Sequence, residues 1–439
     1  SNTTGAYNEA IGYGALYGNT TGYSNVVMGN DAAYKLKTSN NVVIGTSAHT
    51  QNASNGSSNT IVGYYAGRSA VGSYNVLVGR ESGEGDASSP YSSGSNNAAL
   101  GYQSLTAFTT ASGSVAIGGS AGAGITTGNQ NIAIGSGSMG VATTTGDNNI
   151  AIGALSGDAI TTSAGAVLIG TAAGGALTTG AGTTAIGYSA LNACTTAGGN
   201  TVLGYEAAKL LAGSDNSGTD NTVIGYRALD AATSNERQNV VIGSHAGGSI
   251  SATPSDDNVL IGYAAGLGGA GTIEDCVVIG ANAMDGTGTN TQTGTIAIGY
   301  FALSELTSGA GNSVIGYQAA DALTTGQYNT VLGYQALTTA TEVDGNTAIG
   351  MYAMVNFSAS ADQGYNTAVG YNALAGSGGY SGVHNTVIGA YAGDSMTTGG
   401  YNVAIGSNAG TAVTTGINNV FIGREAGKGS VLAQGNTII

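Results

Sequence analysis

The chain has 439 residues, 78 of them Gly and 2 Pro, with 8% charged residues and a formal net charge of −15. That composition excludes a collagen helix, which needs abundant Pro in a strict triplet, and a disordered polyelectrolyte, because 41% of the residues are apolar and regularly placed. An acidic surface repels phosphate backbones, so no nucleic-acid partner is expected, and no apolar run is long enough to span a membrane.

One phrase recurs 24 times between Gly12 and Gly423, most often 17 residues apart. It reads Asn312-Ser-Val-Ile-Gly316-Tyr-Gln-Ala-Ala, then Asn329-Thr-Val-Leu-Gly333-Tyr-Gln-Ala-Leu. Positions are numbered from the invariant glycine, taken as zero. Self-similarity at so short a period specifies a stack of coils, each touching only its neighbours. The expected fold is all-β: a parallel β-solenoid (β-roll) of about 24 coils with about 17 residues per coil, with residues 1–439 as a single continuous array. Ser1 to Gly5 read as the tail of a preceding repeat and Asn436 to Ile439 as the head of a following one, so an excerpt of a longer polypeptide is expected.

Within each repeat the strand comes first. Position −1 is Ile, Leu, Val or Met throughout, as in Met28, Ile44 and Leu203, and −2 is always apolar, as in Ala10, Val223 and Phe421. Position −3 is mostly Thr, Val or Ile. Three β-favouring residues before a fixed Gly predict a short strand. Side chains alternate faces along it, so −3 and −1 share one face and −2 takes the other. Both faces are therefore apolar. We expect −2, rich in Ala and Val, to meet another copy of the chain about a common axis, because so long an apolar stripe is not left in water. Self-association is the expected state.

Position −4 is Asn in 19 repeats, suited to a turn and to an amide ladder between coils. Zero excludes a Cβ, either through a positive φ or through close approach of another backbone. Position +3 is Ala in 20 repeats and Ser in 4, a packing constraint. Tyr fills +1 in 11 repeats, including Tyr317 and Tyr334. It reads as a stacked ladder over the sheet, with a glycan-binding stripe as the functional alternative. From +5 to +12 runs a turn-rich arc, often Thr-Thr-Gly as at Thr324 to Gly326. Its adjacent Thr side chains point to opposite sides, unlike the paired Thr of an ice-binding face. The longest intervals, 79→101, 204→225 and 350→370, are expected to form loops on one side. The first carries Glu84 to Tyr91.

Chemistry requires convergent groups. His49, His245 and His384 sit at +4, +2 and −5 of distant repeats and cannot meet in a linear stack. Cys194 and Cys276 are five repeats apart, roughly 24 Å at about 4.8 Å per coil, so no bridge is expected. Asp215 to Asn221 and Ser255 to Asp257 resemble cation loops only faintly and read as solvated turns. No catalytic residue, metal site or cofactor is expected, and the chain is not expected to be an enzyme.

The unit Ser114-Val-Ala-Ile-Gly118-Gly-Ser-Ala121 resembles the head repeats of YadA-like trimeric autotransporter adhesins. Repeats with Asn-Thr-Ala-Ile-Gly, as at Asn346 to Gly350, and Thr-Thr-Gly resemble those of bacteriophage tail fibres and large bacterial surface proteins. The resemblance covers nearly the whole chain, although the period here is longer than in the adhesin heads. It implies a trimeric, left-handed parallel β-roll used in attachment. The expected function is thus the shaft of an extracellular attachment fibre on a virion or bacterial surface. A cell-surface glycan or protein receptor is the expected external partner. The alternatives are a glycan-degrading tailspike and a purely structural filament subunit.

Overall fold

A computed structural model describes residues 3–50, 56–85, 91–196, 198–211, 218–233, 236–250, 255–269, 271–288, 291–358, 364–376, 379–429 and 434–439. Among these residues there is no helix; the chain is a parallel β-solenoid with about 17 residues per turn. It divides into two compact units, Ser1–Asp220 and Asn221–Ile439. Among the described residues the first contains twelve three-residue strands, from Glu9–Ile11 to Thr201–Leu203, each occupying −3 to −1. The second contains twelve more, from Thr222–Ile224 to Val420–Ile422, and the shorter Thr437–Ile438. Within each unit neighbouring strands pair in parallel without stagger, as in Val314↔Val331 and Ile315↔Leu332. Every repeat position therefore stacks on its own kind. Smaller pairings lie in the arcs, for example Ile273–Glu274 with Gln292–Thr293 in the second unit and Ile125↔Thr144 in the first.

Backbone groups are satisfied between coils rather than within them. The −3 amide of Thr330 donates to the Asn346 carbonyl at 2.8 Å, and the zero amide of Gly333 donates back to the Ile315 carbonyl at 2.9 Å. The Asn ladder is present. Asn329 Nδ2 donates to Asn312 Oδ1 at 3.0 Å and to the Val343 carbonyl at 2.7 Å. Asn312 Oδ1 also accepts the Asn329 backbone N–H at 2.9 Å. One amide thus ties its own coil to the one before and to the turn that leads into the next. These Asn side chains are buried, which suits groups whose hydrogen bonds are all made. In Thr-Thr-Gly the first Thr repeats the trick: both the N–H and Oγ1 of Thr324 donate to the Thr341 carbonyl, each at 2.8 Å.

The strand faces the opposite way from the one expected. Position −2 points into its own coil: Val331 is 1% exposed, and Val314, Ala348 and Phe421 are fully buried. Positions −3 and −1 point outward. The coil interior is closed by the Ala at +3, by +4, and by a third inward position at +7 that the turn-rich arc concealed. Phe108, Ile125, Ile160, Leu177, Leu306, Leu323 and Phe357 all sit there, fully buried. Small residues at −2 therefore reflect the narrow bore of one coil, not an axis shared between chains. Wherever −2 is Ile, Leu or Phe (Ile61, Leu77, Leu168, Leu260, Phe421), +4 is Gly. A Cβ on Gly427 would lie 2.4 Å from the Phe421 ring, and one on Gly83 would lie 2.5 Å from Leu77. Where −2 is Ala, as at Ala99, Ala185 and Ala297, +4 can be Leu instead. A large residue at −2 thus excludes a side chain at +4, as close packing requires, although Ala116 with Gly122 and Ala151 with Gly157 pair two small residues.

The longer repeats are not all outward loops. Tyr380, in the 370→389 interval, turns inward and is fully buried beside Phe357, with ring centroids 5.1 Å apart. Its hydroxyl donates to Asn366 Oδ1 at 3.1 Å and contacts Asn385 Nδ2, so an added residue is absorbed into the Asn ladder. Burial pushes the Tyr380 phenol above its usual range.

Candidate interaction surface

The outward face of the strands is the most extensive unusual surface of each unit. Positions −3, −1 and +1 share it, since the chain alternates across the glycine. Leu332 is 47% exposed, Leu100 51% and Val76 46%, while Tyr317 and Tyr334 beside them are 42% and 43% exposed. A strip three residues wide covers roughly 50 Å² per coil at about 4.8 Å spacing, or about 600 Å² over twelve coils. That is the upper end of what the largest patch on a monomer reaches, although polar residues such as Asn30, Thr46 and Arg80 at +1 interrupt it.

The tyrosines form the expected ladder where +1 is repeated. Tyr317 and Tyr334 stack with centroids 5.1 Å apart and planes 6° apart, and Tyr188 and Tyr205 stack at 5.1 Å and 14°. When +1 is not Tyr, +2 can carry the column onward, as Tyr352 does edge-on between Tyr334 and Tyr371. A second aromatic column uses −5: His384 stacks between Tyr365 at 5.5 Å and Tyr401 at 4.9 Å.

The other residues singled out by sequence are dispersed. His49 is buried at +4, with Nδ1 3.2 Å from the Gly67 carbonyl; burial lowers its pKa and that carbonyl opposes the shift. His245 lies edge-on to Tyr226 and Tyr263. Both cysteines are buried thiols outside any disulfide. Cys276 replaces the ladder Asn, its thiol facing the Glu274 carbonyl at 3.2 Å and the Gln292 carbonyl at 3.7 Å. Burial pushes that thiol up to about 11. Asp256 receives the Arg237 backbone N–H at 2.9 Å and Nε at 3.0 Å, so Ser255 to Asp257 holds an ion pair between coils rather than a cation loop. Asp215 to Ser217 and Asp86 to Pro90 lie outside the described residues.

No group of three metal-ligating side chains occurs among the described residues. Nor is any helix among them long and apolar enough to cross a membrane. Asp285, Glu305 and Asp321 lie on three successive coils. There burial, and then the charge of Glu305, raises the pKa of both Asp285 and Asp321. The chain matches no protein-family model and no curated protein.

Proposed function

We propose that the chain is the shaft of an extracellular attachment fibre in which copies of itself, three by the resemblance of its repeats, pack through the −3, −1 and +1 face. The observation that carries this reading is the exposed apolar strip on each unit, which water penalises and a second copy would cover. Two further features support it. Each coil hands its backbone hydrogen bonds to the next, which makes a stiff body that resists proteolysis. Charged side chains are few: only Glu9, Arg80 and Arg424 stand at strip positions, so little in the strip opposes apolar contact.

The role is mechanical: such a shaft holds an attachment surface away from the particle or cell that bears it. Sedimentation equilibrium at micromolar concentration tests the assembly, and a mass of three chains is expected. A strictly monomeric chain at that concentration would remove the basis of the proposal. Immunogold labelling of intact virions or bacteria tests the location.

A further inference from the structure

Tyr17, Tyr34, Thr50 and Arg68 occupy +5 of the first four coils, and Gly14, Asp31, Ser47 and Tyr65 occupy +2. Between these two columns lies an open hollow of about 650 Å³. The Tyr17 and Tyr34 rings stack at 5.0 Å and 10°, close to one coil spacing, so their planes stand across the stacking direction. Tyr17 covers one face of Tyr34. The other face looks toward the third coil, where the column is interrupted by the short Thr50 beside Ser47. In the fourth coil Arg68 closes the gap, its guanidinium 4.8 Å from the Tyr65 ring centre and paired to Glu84 at 3.3 Å.

The result is a notch with two flat walls and a floor of two hydroxyls. Its walls are two coil spacings apart, about 9.6 Å. A saturated ring held in van der Waals contact with flat groups on both sides needs about 7–8 Å. The notch therefore fits one pyranose lying on Tyr34, with its hydroxyls within reach of Ser47, Thr50 and Asp31. One coil spacing is also close to the advance of one sugar along an extended glycan, so successive sugars would follow successive coils. Lys35 lines the hollow, is exposed, and forms no ion pair among the described residues. In a chain of net charge −15, such an amine favours an anionic sugar.

We propose that this notch is a saccharide-binding site for a linear acidic glycan, with one uronic-acid ring on Tyr34 and its carboxylate toward Lys35. Of the residues lining the hollow only Tyr13 belongs to the outward strip, and the site needs no contact between copies, so it stands or falls separately from the shaft reading.

The test is calorimetric titration of the full chain with tetragalacturonate and with neutral chitotetraose. Acidic binding is expected, with the neutral tetramer weaker by about tenfold. Thr50→Tyr should abolish binding by continuing the Tyr17–Tyr34 stack into the notch. It should leave the melting transition unchanged, since +5 already carries Tyr. Tyr34→Ala, which removes a wall without filling the space, should weaken binding by about tenfold. Lys35→Ala should erase the preference for the acidic tetramer. Failure of both tetramers to bind at millimolar concentration, equal binding of the two, or unaltered binding to a folded Thr50→Tyr chain would each overturn the proposal.

Discussion

The orientation of the strand makes neighbouring residues respond in opposite ways to the same substitution. Val331 is 1% exposed and faces the interior between Val314 and Ala348; Leu332 is 47% exposed and faces out. Replacing Val331 by Asp forfeits about 2 kcal/mol of apolar burial. It also places a carboxylate, without a partner, where only apolar atoms surround it, adding several kcal/mol more. The sum, about 5 kcal/mol, is comparable to the whole stability of many domains. Leu332→Asp loses about 1 kcal/mol of the partial burial within its own chain, and its carboxylate reaches water. In the proposed assembly that same carboxylate would be trapped against a second copy.

Hydrogen exchange and sedimentation read the two effects separately. Val331→Asp should lose amide protection over the coils from about residue 312 to 350, because each coil depends on its immediate neighbours. Leu332→Asp should keep protection and melting temperature within a few degrees of the unaltered chain while dissociating to monomers. A Val331→Asp chain that stayed fully protected and merely dissociated would refute the inward assignment of −2.

Three other outcomes follow from single contacts. Asn329→Ala should destabilise its coil by about 2–4 kcal/mol in urea titrations, since it strips partners from the Asn346 amides and the Val343 carbonyl. For His49, burial holds the folded pKa below the ordinary 6.5, so the unfolded chain binds the proton first. Stability should therefore fall as pH drops below 6.5 toward the folded value, and His49→Leu should remove that slope in melting curves. Cys276, with its thiol pushed up to about 11, should resist iodoacetamide at pH 8 in the folded chain and react once denatured; rapid alkylation of folded protein would contradict its place in the ladder.

The period, the strand and its parallel register were legible because they rest on positions that barely vary. The interior was harder to read. With −2 and −1 both apolar in every repeat, alternation separates the two faces but does not say which is inside. The deciding signal was the inverse relation between −2 and +4, Leu77 with Gly83 and Ala99 with Leu105, which marks two positions sharing one confined volume. Position +7 carries no consensus, because its occupants range from Phe108 to Cys194 and Asn19 and arc-length changes shift its register. The notch beside Tyr34 was invisible for a different reason. It arises from an irregularity, Thr50 where Tyr precedes it, and a consensus averages irregularities away.

The invariance of the glycine at zero has its own physical cause. Each coil turns through four residues with positive φ, at −5, zero, +2 and +4. At −5, +2 and +4 the angles cluster near those of the left-handed helix, as at Tyr328 (59°), Gln335 (48°) and Leu337 (55°). Side-chain-bearing residues tolerate that region at a cost of about 1–2 kcal/mol each. Inter-coil bonds such as Gln335 N–H to the Tyr317 carbonyl at 2.9 Å offset it. At zero φ lies between 122° and 151°, outside that basin. There a Cβ on Gly316 would also stand 2.2 Å from the Gly333 carbonyl oxygen, and its own oxygen faces the coil before in the same way. Both restrictions act at once, and both recur at each coil junction. Gly316→Ala would therefore have to separate two coils, breaking the bond from Gly333 N–H to the Ile315 carbonyl and its neighbours, whereas Ala at +2 is already present as Ala172 and Ala264. The one position the sequence never varies is the one where backbone strain and coil spacing coincide.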